Sequence, residues 1–342
     1  MTDIWNRLKA ETKPVLLYGT GNGADKILDE LNKYDIKVSG VFASSGFVRD
    51  RYFRGFKVMS LEEAEECFGD FISLFSFGSN RPEVIDNIKR IIARHTLLAP
   101  EVPVCGGEVF NLEYAKKHSD KLLKVYNLLA DEQSKKVFEQ TTLFKLDGDI
   151  SRLFACETPE DEAFQSILRL NPNDSFLDLG AYNGDTVLDF IKRVGSFSKI
   201  TAVEPDKKSF AKLLKNTKDY EIETINAAVS NEVGAIPFSF KSSRGSVAGG
   251  QDFTDAVSID SLCQNRRFDY IKFDVEGKEL DAIIGGEKTI KRDKPKMLIS
   301  AYHKSDDYFA IPLKVYEFNP EYKIYMRHYP YVPAWDTNFY FV

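Results

Sequence analysis

Short apolar runs and longer amphipathic stretches alternate along this chain, and they do so twice. Val15-Leu16-Leu17-Tyr18 is an apolar run of strand length, followed by Gly19-Thr20-Gly21-Asn22-Gly23. Ile27, Leu28 and Leu31 then recur at helical spacing. Val38 to Phe42 reads as a second strand, Leu61 to Cys67 as a short helix and Ile72 to Phe77 as a third strand. Ser79 and Asn80 ahead of Pro82 are a helix-start signal. Val84, Ile85, Ile88, Ile91 and Ile92 give that helix one apolar face. The order predicts a parallel sheet covered by helices.

Pro100 and Pro103 interrupt the alternation, and two charged, amphipathic stretches follow, Leu112 to Tyr126 and Leu128 to Phe144. Both read as helices of an exposed joint at which protease should cut first, with separable halves on either side. The second series begins near Ser175. Its strands are Phe176 to Leu179, Ile200 to Val203, Glu223 to Val229, Tyr270 to Phe273 and Met297 to Ala301. Helical spacings fall between them, through Val187, Phe190 and Ile191, then Phe210 and Leu213, then Leu280 and Ile283. A polar, hairpin-like insertion occupies 235–252, and Lys323 to Arg327 with Phe339 to Val342 read as a closing antiparallel hairpin. The chain divides into an α/β unit at 1–100, a helical connector at 101–170 and a second α/β unit at 171–342.

With 342 residues, 43% hydrophobic and 29% charged, the chain has room for about two packed domains. A net charge of -6 lacks the basic footprint of a nucleic-acid binder. No apolar run nears the roughly 18 residues of a membrane span. Met1-Thr2-Asp3-Ile4-Trp5 does not have the layout of a signal peptide, so a cytoplasmic protein is expected. Cys67, Cys105, Cys156 and Cys263 are scattered, which predicts reduced thiols, mostly in or near cores, and neither a zinc site nor a disulfide framework.

The chemistry concentrates in Asp178-Leu179-Gly180-Ala181-Tyr182-Asn183-Gly184-Asp185. Glycines between a strand and a helix let the backbone approach a ligand at the carboxyl edge of a parallel sheet. Glu204 ends the next strand. There an ionised carboxylate, which only accepts hydrogen bonds, suits the two ribose hydroxyls of an adenosine. The turn reads Gly180-x-x-x-Gly184 and not GxGxxG, with an acid at each end. Asp178 and Asp185 would repel a pyrophosphate but suit the ammonium and sulfonium of S-adenosylmethionine.

Together with Val203-Glu204-Pro205-Asp206, Asn226-Ala227-Ala228-Val229, Val257-Ser258-Ile259-Asp260-Ser261-Leu262 and Ile271-Lys272-Phe273-Asp274-Val275-Glu276-Gly277, this segment resembles the FkbM methyltransferases. The resemblance covers about 174–342. It implies a class I methyltransferase fold with a seven-stranded, mostly parallel sheet, and O-methyl transfer, often to sugars or polyketide hydroxyls. The expected cofactor contacts are Asp178, Gly180, Ala181, Tyr182, Asn183, Gly184, Asp185, Glu204, Pro205, Ala227 and Asp274.

Asp274 follows the fourth strand of this unit and His303 the fifth, so both should face the crevice. Either could take the proton of a hydroxyl acceptor, expected to be a saccharide or nucleotide-sugar. The alternative for His303 is a packing or surface histidine. Glu276 reads as a first-turn helix carboxylate complementing the dipole. An Asp/Glu/His group of this kind could hold Mg²⁺, but no metal site is assigned. The loops at 274–277 and 302–306, with the insertion at 241–252, are expected to line the acceptor pocket.

Gly19-Thr20-Gly21-Asn22-Gly23-Ala24 fits GxGxxA, but the second strand runs into Phe42-Ala43-Ser44-Ser45 with no acid for an NAD ribose. The segment is similar to Rossmann-like domains that bind nucleotide-sugars or hold architecture, and a dehydrogenase is disfavoured. Arg49, Arg51 and Arg54 could meet a phosphate, and a solvated basic loop is the preferred reading. The class-level alternative to an enzyme is a non-catalytic sensor of nucleotides or S-adenosylmethionine.

Overall fold

The computed structural model describes residues 2–48, 51–239, 247–248 and 252–342. The N-terminal sheet runs Tyr52–Phe53, Phe56–Met59, Gly40–Phe42, Val15–Tyr18, Ile72–Phe75, Thr96–Leu98. Every pairing is parallel except the Tyr52–Met59 hairpin. The two central strands are buried throughout, which is why Val15–Tyr18 reads as an unbroken apolar run and Ile72–Phe75 as one interrupted only by Ser73. The edge strands at 52–59 and 96–98 escape the sequence pattern, since they are short and interrupted by polar residues.

The helix after the third predicted strand begins at Pro82, with Arg81 as its cap residue. Ser79 does not cap it. Its backbone N–H and carbonyl pair with Val332 at 2.8 and 3.0 Å, across to the other half of the molecule.

The connector folds as Leu112–Lys117, Ser119–Leu128, Glu132–Asp147 and Ser151–Cys156, followed by a wound segment to Leu168. The first expected helix breaks at His118, which leaves helical geometry. Asp131 caps the long helix by accepting from the Ser134 N–H at 2.7 Å. These helices are fastened to the C-terminal sheet. Buried Arg327 pairs with Asp131 and Glu162, each at 2.8 Å, and the Met326 N–H donates to Ser134 Oγ at 3.0 Å.

The C-terminal sheet has seven strands in the order Ile324–His328, Thr337–Phe341, Lys296–Ser300, Tyr270–Phe273, Ser175–Leu179, Lys199–Val203, Glu223–Ile225. Five are parallel, and the last two in sequence close one edge as an antiparallel hairpin. From Ser175–Leu179 the chain winds outward one way, then returns to its other side at Tyr270–Phe273. The boundary between those two strands is the switch point at which open α/β sheets bind ligands.

The expected strand 223–229 divides. Glu223–Ile225 stays in the large sheet, whereas Ala228–Val229 joins a small sheet with Gly234–Ser239, Val247–Ala248 and Asp252–Val257. Asn226 at the break donates its side-chain N–H groups to the carbonyls of Glu204 (2.8 Å) and Pro205 (3.1 Å). Among the described residues no helix is long and apolar enough to cross a membrane.

The halves are joined by more than a tether. Val332 and Ala334 are buried in the core of the N-terminal sheet, and a Cβ on Gly78 would lie 2.4 Å from Trp335. Lys145 and Glu101 form a buried ion pair at 2.5 Å. These contacts argue against a loose joint. A fragment starting at residue 101 is expected to lose stability by exposing Val332 and Ala334. One starting at residue 102 also strands Lys145, and breaking a buried pair costs about 3–5 kcal/mol. Its melting temperature should fall by roughly 10 °C relative to the full chain; calorimetry showing equal stability would mean the halves fold independently.

Candidate active site

Strand Ser175–Leu179 is buried along its length and delivers Asp178, itself 0% exposed, to the switch point. The Gly180 and Ala181 N–H groups both donate to the Val203 carbonyl at 3.0 Å. Gly180 has φ +86°, and a Cβ there would sit 1.9 Å from the Asp274 carbonyl oxygen. The glycine is thus demanded by the protein's own backbone, because the loops after two adjacent strands touch at this point. Tyr182 follows at φ +47°, and Gly184 at φ +87° opens helix Asp185–Val194. Asn183 Oδ1 accepts from the Asp185 N–H at 3.1 Å.

Glu204 closes this turn. Its two oxygens accept from the Tyr182 and Asp206 N–H groups, each at 2.8 Å. Burial pushes its carboxyl up to about 7, against the pull of those two N–H groups. Each carboxylate oxygen retains capacity for a further donor. The structure therefore gathers Asp178, Gly180, Ala181, Tyr182, Glu204 and Asp274 around one point. Pro205 is tied in through its carbonyl to Asn226. Ala227 is 2% exposed and packs in the sheet core.

Lys272 is a site residue that the motif reading misses. It is the register partner of Asp178 on the neighbouring strand, and its Nζ lies 3.6 Å from Asp178 and 3.7 Å from Asp274. Among the described residues neither oxygen of Asp178 has a hydrogen bond. Burial pushes Asp178 up to about 6, with Lys272 drawing it partly back. Burial also opposes the charge on Lys272, but Asp178 and Asp274 outweigh it and raise the ammonium. A lysine inside the otherwise apolar run Tyr270-Ile271-Lys272-Phe273 is the available signal, since a central parallel strand seldom carries an unpaired charge.

On the acceptor side the Tyr302 hydroxyl donates to Asp274 Oδ1 at 3.1 Å. His303, 1% exposed, places Nε2 at 3.5 Å from Asp274 and 3.7 Å from Glu276, and Nδ1 at 3.0 Å from Glu279. Burial disfavours its imidazolium, but Glu279 first, then Asp274 and Glu276, outweigh that and raise it to about 10. Asp274, Glu279 and His303 bring potential ligand atoms within 4.8 Å of one another. The imidazole turns Nε2 toward Asp274 and Nδ1 toward Glu279.

Glu276 is not in the first turn of a helix. At φ +51° with Gly277 at φ +84° it forms a left-handed turn that delays the helix to Glu279–Ile284, so Glu279 holds the first-turn position. The connector also reaches this edge. The Cys105 N–H donates to the His303 carbonyl at 3.1 Å, and its thiol is 3.9 Å from Glu276. The part of the expected pocket lining at 241–246 and 249–251 lies outside the described residues.

In the N-terminal turn, a Cβ on Gly23 would lie 2.2 Å from the Ser76 carbonyl oxygen, so its glycine too answers to packing. Arg51 donates to Thr20 Oγ1 at 2.5 Å and Arg54 pairs with Asp25 at 2.6 Å. Arg49 lies outside the described residues.

Residues 178–332 match the methyltransferase FkbM domain. Among curated proteins none matches the sequence. Among solved structures the chain is similar to methyltransferase FkbM from Methylobacillus flagellatus KT, with 21% identity and a TM-score of 0.76 over 97% of this chain and 90% of that one. That likeness of fold extends over both halves. Fibrillarin from Aeropyrum pernix, solved with S-adenosyl-L-methionine bound, is 16% identical with a TM-score of 0.32, over 50% of this chain and 67% of that one.

Proposed function

From the match of residues 178–332 to the methyltransferase FkbM domain, we propose that this protein is an S-adenosylmethionine-dependent O-methyltransferase acting on a hydroxyl of a sugar or other polyol, free or nucleotide-linked. The observation that carries the reading is a switch-point crevice with two chemically distinct sides. One side offers Asp178 and Glu204, buried carboxylates with unused acceptor capacity, which fit a ligand bearing an ammonium, a sulfonium and two ribose hydroxyls. The other offers Asp274 backed by Tyr302, His303 and Lys272.

The cofactor supplies a methyl group on a positively charged sulfur, which an acceptor oxygen displaces in line. The chain's own work is to hold the acceptor oxygen and take its proton. Asp274, with its side chain 31% exposed, is open to an entering hydroxyl, as is Glu276 at 33%, and of the two Asp274 is the nearer to His303 and is also held by Tyr302. Alignment of reactants supplies roughly 7–11 kcal/mol in well-oriented systems. The test is transfer of labelled methyl from S-adenosylmethionine to a panel of saccharides and nucleotide-sugars. Cofactor binding with no methylated product on any hydroxyl would defeat the proposal.

The cofactor side carries its own prediction. Hydroxyl donors favour ionised Glu204, so affinity should be full well above pH 7. It should weaken as pH falls through about 7, the value to which burial raises this group. Glu204→Gln should flatten that dependence, and Glu204→Ala should cost about tenfold or more in affinity, the scale of lost charge-assisted hydrogen bonds. Calorimetric titration across this pH range reads both, and an unchanged affinity in Glu204→Ala would remove Glu204 from the ribose.

A further inference from the structure

We infer that Glu279 is a positioning residue of the methyl-transfer site, fixing the orientation of the His303 ring and deciding which of its nitrogens faces Asp274. The inference rests on the reading that the Asp274–His303 pair handles the acceptor's proton. It concerns a residue that touches neither the crevice nor, on this geometry, any substrate.

Glu279 is 0% exposed although it occupies the first turn of a helix, where a carboxylate ordinarily faces water. One oxygen, Oε1, meets two partners from different elements. It accepts from the Val275 N–H at 2.9 Å and stands in ion-pair contact with His303 Nδ1 at 3.0 Å, although Nδ1 itself makes no well-aligned hydrogen bond among the described residues. It thereby ties the loop that carries Asp274 to the ring that backs Asp274. The other oxygen is buried without a hydrogen bond among the described residues. An ionised carboxylate can only accept, so the nitrogen facing it must keep its proton. Asp274 and Glu276 face Nε2 from farther off, at 3.5 and 3.7 Å, so when the ring gives up a proton the nitrogen that empties is Nε2. Without Glu279 the carboxylates nearest the ring would be Asp274 and Glu276 at Nε2, so the proton held on Nδ1 would no longer be favoured there. A buried carboxylate behind a functional histidine serves this role in triads and in carboxylate–histidine pairs generally.

The groups facing the ring come from several elements. Asp274 and Glu276 stand on the loop after Tyr270–Phe273, with Lys272 beyond Asp274. Asp307 belongs to the following helix and is pushed up by burial and by Glu279. Cys105 approaches beside Glu276 from the connector, and Lys26 from the N-terminal unit. Among the described residues, Glu279 is the charged group placed on the Nδ1 side at hydrogen-bonding distance.

The test uses the full chain with ¹⁵N-labelled imidazoles. The sequence has four histidines, so the His303 signals are assigned by their loss in His303→Gln. In the unaltered protein the ring should titrate near pH 10 and, once neutral, carry its proton on Nδ1. Glu279→Gln keeps an acceptor for the Val275 N–H but removes the charge. It should lower that titration by at least one pH unit and mix the tautomers. Cofactor affinity should stay within about twofold, while methyl transfer to the responsive saccharide falls about 10–100-fold, the usual scale for a residue supporting a functional histidine. If Glu279→Gln does not fold, Glu279→Asp, which keeps the charge but shortens its reach, should still shift the titration. An unmoved titration and tautomer in the folded variant would overturn the inference, whatever the activity. A shifted ring with wild-type transfer in both Glu279→Gln and His303→Gln would instead defeat the proton-handling reading on which it rests.

Discussion

Asp274→Asn is expected to lower methyl transfer by a factor of about 10²–10⁴, the range that a positioned acid–base group contributes. The substitution is isosteric. Its amide still accepts from the Tyr302 hydroxyl, now at 3.1 Å from Oδ1, and the loop is held independently by Gly180 packing against the residue's carbonyl. What it loses is basicity and the charge facing Lys272 and His303. His303→Ala should lower transfer comparably while leaving cofactor affinity nearly intact, because the ring lies on the acceptor side. That variant also leaves Glu279 buried without its charged partner, with only the Val275 N–H remaining, so it should be less stable than Asp274→Asn, by about 3–5 kcal/mol. Turnover and cofactor titration measured together decide the matter. Full turnover in Asp274→Asn would take the proton-accepting role away from this residue, and a loss confined to cofactor binding would move Asp274 to the other side of the site.

Gly180→Ala is expected to be among the most damaging single-methyl additions in the C-terminal half. Two penalties coincide. A left-handed φ of +86° strains any residue with a Cβ by roughly 1–2 kcal/mol. The new carbon would also fall 1.9 Å from the Asp274 carbonyl oxygen, which is backbone and has no rotamer to escape into. Overpacking adds about 1–3 kcal/mol, and the displaced turn carries the Tyr182 N–H, one of the two that hold Glu204. Gly195→Ala is the control, with φ +75° and nothing within 4 Å of the added carbon. It should show the strain alone. Denaturant titration of the two variants separates the effects, and equal destabilisation would mean that the Gly180–Asp274 contact relaxes freely. Cofactor affinity should drop in Gly180→Ala and hold in Gly195→Ala.

Much of the site is legible in the sequence because its components are local. Asp178 to Asp185 is one strand–turn–helix, and its glycines, acids and apolar spacing are neighbours along the chain. Glu204, Asp274 and His303 each follow an apolar strand, so alternation alone sends them to the same edge of a parallel sheet. Where local signals compete with distant partners they mislead. Ser79 reads as a helix cap but bonds Val332 from the far half, and Glu276 reads as a first-turn acid but sits in a left-handed turn one residue ahead of Gly277.

Periodicity and glycine chemistry act over a few residues. The chain's local pattern is therefore enough to establish the two α/β units, the turn that meets a ligand and the acids that flank it. The pairings around that turn come from the way the layers dock. Lys272 meets Asp178 through the register of two strands far apart in the chain, and a slip of one residue would turn each lysine or carboxylate to the opposite face. Glu279 meets His303, and Cys105 reaches the His303 carbonyl, because packed helices and a returning connector bring distant segments within 3.1 Å. Such contacts depend on how whole layers pack, and no short window of residues contains that information.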